Sequence, residues 1–237
     1  DESSLAISGG FGKIVLGQDD DASDSYNLDE MDLPTEEPGT TLASASIGTS
    51  SSVGSSDALT VAYHLPAMGG LTAGVSFADS GTNTGTDKTS MGAKYSMEAG
   101  GAAITLGYAT QTTEATTKDT DETNMGLKVV SGDLSLIVSQ GTKEAVDEDI
   151  DNQGASISYK MPNGMTVAAY TFKSEDALDA GEELARSGAE VAYSIASGLT
   201  AVVNVEDYDY KVGTNRDGAS TVSDNGTVTQ LTLKASF

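Results

Sequence analysis

The sequence predicts an all-β protein, a transmembrane antiparallel up-and-down β-barrel, and three observations carry that prediction. Apolar residues recur at every second position in many short runs, as in Leu71-Thr72-Ala73-Gly74-Val75-Ser76-Phe77. Alternation of this kind marks a strand whose two faces differ. The connections between runs alternate strictly between short Gly/Pro/Asn turns and long loops rich in Asp, Glu, Thr and Ser. Short turns at one end and long polar loops at the other characterise an outer-membrane barrel. The face opposite the apolar one is small and polar with scattered charges, which suits a wet interior.

The totals exclude several classes. A formal net charge of −24 over 237 residues argues against nucleic acid, where affinity comes from Lys and Arg neutralising phosphates. Cysteine is absent, which removes disulfides, thiol catalysis and the common structural zinc sites. The 38% of hydrophobic residues sit in ordered runs, unlike a disordered acidic chain. No stretch approaches the ~18 consecutive apolar residues of a transmembrane helix. No basic and apolar leader precedes Asp1, so any signal peptide is expected to lie outside this sequence.

Taken in order, the strands are expected near 3–9, 11–17, 57–65, 71–78, 88–97, 102–110, 122–131, 133–141, 152–161, 165–174, 185–195, 199–210 and 226–237. Short connections such as Gly9-Gly10 and Gly132-Asp133 suit tight hairpins. Helical periodicity is hinted at only in 177–186, which reads as an acidic loop. The whole chain, 1–237, reads as one barrel domain.

The longest connection, 18–56, is where function is expected, since loops beyond about 12–15 residues usually carry it or are disordered. It reads as a constriction loop that folds inward, and it carries Asp19, Asp20, Asp21, Asp24, Asp29, Glu30, Asp32, Glu36 and Glu37. The polar face of the strands carries Lys13, Lys94, Lys128, Lys160, Arg186, Glu190 and Lys234. A Lys or Arg against lipid near the midplane costs roughly 2–4 kcal/mol, so these residues face water or a partner. Acids on the loop would then face bases on the pore wall, an arrangement by which pores select charge. The plainer reading is that the acids solubilise a loop and the lysines line a wet wall. Small residues on this face would leave a lumen open.

Tyr63, Tyr95, Tyr159 and Tyr193 sit at nearly one height, two or three residues before short turns, as an interfacial aromatic girdle would. Strand propensity alone could also place them. Phe77, Tyr108 and Tyr170 or Phe172 are candidates for the opposite band.

No catalytic constellation is visible. His64 is the only histidine and reads as a wall residue pointing into the lumen; no serine lies in a Gly-x-Ser-x-Gly elbow. Asp147-Glu148-Asp149-Ile150-Asp151 begins like a calcium loop, but Asn152 stands where Gly is needed and Ser158 where Glu belongs. No cofactor or specific metal site is expected. Loosely held Ca²⁺ or Mg²⁺ at the acidic outer loops, bridging to lipopolysaccharide phosphates, is.

The last segment, Val228-Thr229-Gln230-Leu231-Thr232-Leu233-Lys234-Ala235-Ser236-Phe237, alternates to its final residue. In this it resembles the Gram-negative general porins, whose last strand ends on Phe and resembles the signal read by the barrel assembly machinery. Gly10-Phe11-Gly12-Lys13-Ile14-Val15-Leu16-Gly17-Gln18 similarly resembles the porin strand before the constriction loop. Residues 34–39 are only loosely similar to the tip of such a loop and lack its aromatic. The resemblance implies a barrel of about sixteen strands, so thirteen predict that three strands are missing at the amino end of this sequence. It also implies a homotrimer in outer-membrane lipid and lipopolysaccharide. The function expected is passive diffusion of small hydrophilic solutes and ions, with mild cation preference. The alternative is a non-conducting surface barrel with an adhesive or envelope-structural role.

Overall fold

A computed structural model of the chain describes residues 3–18, 20–28, 53, 59–79, 86–178, 181–211 and 223–235. Thirteen antiparallel strands form one sheet in sequence order. They are β1 (Ser4–Gly9), β2 (Gly12–Gln18), β3 (Leu59–His64), β4 (Leu71–Asp79), β5 (Lys88–Ala99), β6 (Ala102–Thr113) and β7 (Thr120–Ser131), followed by β8 (Leu134–Glu144), β9 (Asp149–Lys160), β10 (Met165–Asp176), β11 (Glu183–Ala196), β12 (Leu199–Lys211) and β13 (Asp224–Ala235). Each strand pairs with its sequence neighbours, and among the described residues β1 and β13 do not pair with each other. Hairpin chemistry sets the short end. Ala99 pairs with Ala102 across Gly100-Gly101, whose φ values of 59° and 82° are those a two-residue type I′ turn demands.

The sheet is inside-out relative to a water-soluble protein. Val61, Val75, Met91, Leu106, Met125 and Leu136 lie on the exposed face, each about half accessible. The face behind them is small or polar and buried: Ala62, Ser76, Ser90, Ala109, Asn124 and Ser139. Tyr95, Tyr159 and Tyr193 are exposed on the apolar face with Tyr63. There Tyr63 donates its hydroxyl proton to the carbonyl of Phe11 at 2.6 Å. Phe77 and Tyr108 share that face nearer the long loops.

Tyr170 and Phe172 do not. Both are buried on the inner face, against the expectation that one would join an outer aromatic band. Their cross-strand partners explain it: Tyr170 lies opposite Gly188 and Phe172 opposite Gly154. A ring laid over a strand glycine covers backbone that the glycine leaves bare. The inner face is therefore not uniformly small, as expected, because Ile150, Phe172, Leu184 and Tyr210 form a packed cluster on it.

A short helix, α1 (Ala22–Tyr26), follows β2. No helix is expected there from sequence, since one turn is too short to show a 3.6-residue period.

Candidate pore constriction

The register assembles the inner face into rows of residues from consecutive strands. One row runs Lys13, His64, Gly74, Gly92, Ala109, Asn124. The next toward the long loops runs Ala62, Ser76, Ser90, Gln111, Glu122, and the next the other way runs Thr72, Lys94, Gly107, Gly126, Ser139.

Residues 20–28 lie across these rows. A helix leaves its first N–H groups without intrahelical partners, and a side chain at the N-cap usually serves one of them. Asp21 makes no such cap bond. The wall does the work instead: Ala22 N–H donates to Ser76 Oγ at 2.8 Å and Ser23 N–H to Ser90 Oγ at 3.1 Å. The two serine hydroxyls are themselves 2.7 Å apart, and Ser23 Oγ donates to Asp21 Oδ1 at 2.5 Å. At the other end of α1, Lys94 Nζ donates to the Ser25 carbonyl at 3.0 Å. Tyr26 Oη lies 2.9 Å from His64 Nδ1. Beyond the helix, Leu28 N–H donates to Asn124 Oδ1 at 2.9 Å while Asn124 Nδ2 donates back to the Leu28 carbonyl at 3.1 Å.

Four wall glycines make room for this segment. A Cβ on Gly92 would stand 2.5 Å from Tyr26 Cβ, and one on Gly74 would stand 2.9 Å from the Tyr26 ring. On Gly107 and Gly126 it would meet Leu28 at 2.8 and 2.6 Å. Close approach of backbone to a second chain segment is a recurring use of glycine within strands. Sequence reading places Gly74 on the inner face but assigns it no task. The inner-face glycine repeated on four consecutive strands, in two adjacent rows, is the signal that could have located the track.

Of the expected loop acids, the structure brings Asp20, Asp21 and Asp24 to this site. Asp19, Asp29, Glu30, Asp32, Glu36 and Glu37 fall outside the described residues, as does Phe237. Asp24, in the loop and outside the strands, has its carboxyl pushed above the ordinary 3.8. Burial is the largest cause, followed by the charges of Asp20 and Asp21; Asn27 and Lys94 pull the other way. Burial likewise raises the Tyr26 phenol.

Lys13, Lys94, Lys128, Lys160 and Lys234 all occupy inner-face positions, toward the short-turn end. Arg186 is on the inner face too, yet it presents no charge there. Its side chain is 2% exposed, and Nη2 and Nε donate to the two carboxylate oxygens of Glu206 at 2.8 and 3.2 Å. Tyr170 Oη, reaching over Gly188, donates to the same carboxylate. Glu190, also expected on the polar face, is buried beside Asn204, with Asn204 Nδ2 3.5 Å from its carboxylate. Among the described residues no group of three His, Cys, Asp or Glu is placed to hold a metal ion.

A family model described as Gram-negative porin matches residues 1–235. The chain belongs to the Gram-negative porin family. It is accordingly an outer-membrane β-barrel of the channel-forming kind. No curated protein matches the chain. The fold of this porin is similar to that of an anion-selective porin from Comamonas acidovorans, with a TM-score of 0.68 at 16% identity, over 100% of this chain and 77% of that one. It is also similar to OmpT of Vibrio cholerae in its trimer form, with a TM-score of 0.61 at 16% identity, over 97% of this chain and 79% of that one. A further porin of known structure gives a TM-score of 0.60 at 16% identity, over 97% of this chain and 80% of that one. At these identities the likeness concerns the fold.

Proposed function

We propose that this porin passes small hydrophilic solutes and ions passively, down their gradients, through a lumen narrowed by residues 20–28, with a preference for cations. The observation that carries the reading is the bonded placement of an acidic segment over a glycine track on the inner face. Asp20, Asp21 and Asp24 put three acidic groups at the narrowing. Of the expected wall cations, Lys94 stands beside α1 and opposes them in part, while Arg186 is withdrawn by its ion pair with Glu206. The Comamonas relative is described as anion-selective; the charge pattern here argues for the opposite sign. A channel rather than an enzyme is the role we assign, and His64, the only histidine, is engaged with Tyr26. Reversal potentials in asymmetric KCl test the preference: a potential set by K⁺ supports it, and one set by Cl⁻ overturns it.

The homotrimer is part of this proposal, supported by the trimer form of the Vibrio cholerae neighbour. Mild cross-linking in detergent would give a three-chain band; a single-chain band at every cross-linker concentration would contradict it.

A further inference from the structure

A second polar site lies on the inner face, at the long-loop end of β9, β10 and β11, away from α1. Asn152 and Ser174 are direct cross-strand partners, and Asp176 follows Ser174 by two positions on the same face. Across the β10–β11 connection Asp176 faces Glu182, and Asp176 N–H donates to the Glu182 carbonyl at 3.3 Å. All four side chains are more than nine-tenths buried. Ile150, Leu184 and Tyr210, with Phe172, form the apolar surroundings.

The carboxylates are held in place by protein donors. Asp176 Oδ1 accepts from the N–H groups of Asp149 at 3.2 Å and Leu178 at 2.9 Å. Glu182 Oε1 accepts from Tyr210 Oη at 2.8 Å. The remaining oxygen of Asp176, together with Asn152 Oδ1 and Ser174 Oγ, is buried with no hydrogen bond among the described residues. Buried polar atoms are nearly always satisfied, and a buried carboxylate without compensation is costly. Here three such oxygens, one of them on a carboxyl group, share a strand pair and a face, and Glu182 is the backbone partner of Asp176.

We propose that this cluster binds one divalent cation of the calcium type, with Asp176 as its principal ligand and Glu182, Asn152 and Ser174 supplying further oxygens. Oxygen-only donors of mixed charge suit a hard cation, and calcium tolerates irregular sets of carboxylate, amide and hydroxyl oxygens that magnesium, with its strict octahedral demand, does not. The absence of nitrogen and sulfur donors in this set disfavours zinc. The site joins three consecutive strands at the end where the loops are long, so its occupant would pin that end of the sheet. It does not depend on the constriction reading.

The test is calcium titration of the folded chain in detergent, stripped of divalent ions, by calorimetry and by thermal melting. One saturable site is expected in the unmodified protein, with a higher melting temperature on adding calcium and a weaker response to magnesium. Asp176→Asn should weaken calcium binding by about tenfold or more and abolish the melting shift. Ser174→Ala should weaken it by a smaller factor without lowering the calcium-free melting temperature, since it removes an orphan hydroxyl. If Asp176→Asn does not fold, Ser174→Ala and Asn152→Ala carry the test. Unchanged titrations in these variants would assign calcium to the exposed acidic loops and overturn the proposal. So would the lack of any saturable calcium site in the unmodified protein.

Discussion

Asn124, in the middle of β7, hydrogen-bonds both the N–H and the C=O of Leu28, a residue 96 positions earlier in the chain. One side-chain amide thereby replaces the strand partner that this stretch of loop lacks. The pair ties a loop that leaves the sheet after β2 to a strand five places further on. Asn124→Ala removes both bonds at a cost of about 1–3 kcal/mol to the docked loop, leaving the β-ladders intact. Single-channel conductance should rise and become noisier, with the melting temperature of the barrel little changed. Conductance identical to the unmodified porin would show that this contact does not hold the narrowing.

The glycine track makes a steric prediction. Gly92→Val must push Tyr26 away, because even a Cβ at that position would overlap the Tyr26 side chain at 2.5 Å. Release of α1 should enlarge the permeation limit for uncharged sugars in a liposome-swelling assay. An unchanged limit would count against close packing of loop on wall.

Acid pH should act through Asp24. Its folded-state pKa is raised, chiefly by burial, so the docked loop favours the protonated form. The stability this contributes to docking is fully present below the unfolded value, near 3.8, and is lost as pH rises through the folded value. Lowering the pH should therefore weaken cation preference and tighten the loop together, with a midpoint above 3.8. Asp24→Asn should remove that step. A selectivity profile with the same midpoint in the variant would assign the titration to another group.

The Arg186–Glu206 pair is buried at both ends. Arg186→Met strands the Glu206 carboxylate and should destabilise the barrel by about 3–5 kcal/mol, whereas the double change with Glu206→Met should recover most of the loss. Urea unfolding from lipid vesicles would report both. Equal losses in the single and double variants would mean that packing, not charge, dominates there.

Much of this architecture was legible in the sequence because strand periodicity is a local signal. Residues 71–77 display both solvents in seven positions, and the observed strands fall within a few residues of those expected. The inner-face positions of the lysines followed from the same alternation. What the sequence concealed depends on partners far away along the chain. Nothing local marks Tyr170 and Phe172 as inward, because the reason is glycine on the neighbouring strands. Arg186 reads as a wall cation until Glu206 is found opposite Gly188, one strand further on. Helix α1 forms where serines of β4 and β5 receive its first N–H groups, a signal held by the wall and absent from the segment itself.

The measurement that bears most directly on the account uses Ser25, exposed on α1 in a chain without cysteine. A Ser25→Cys porin in a planar bilayer should conduct in discrete steps, and a bulky charged thiol reagent added to the bath should lower each step as α1 is modified. Complete labelling, verified by mass, with no change in conductance would contradict a narrowing formed by residues 20–28.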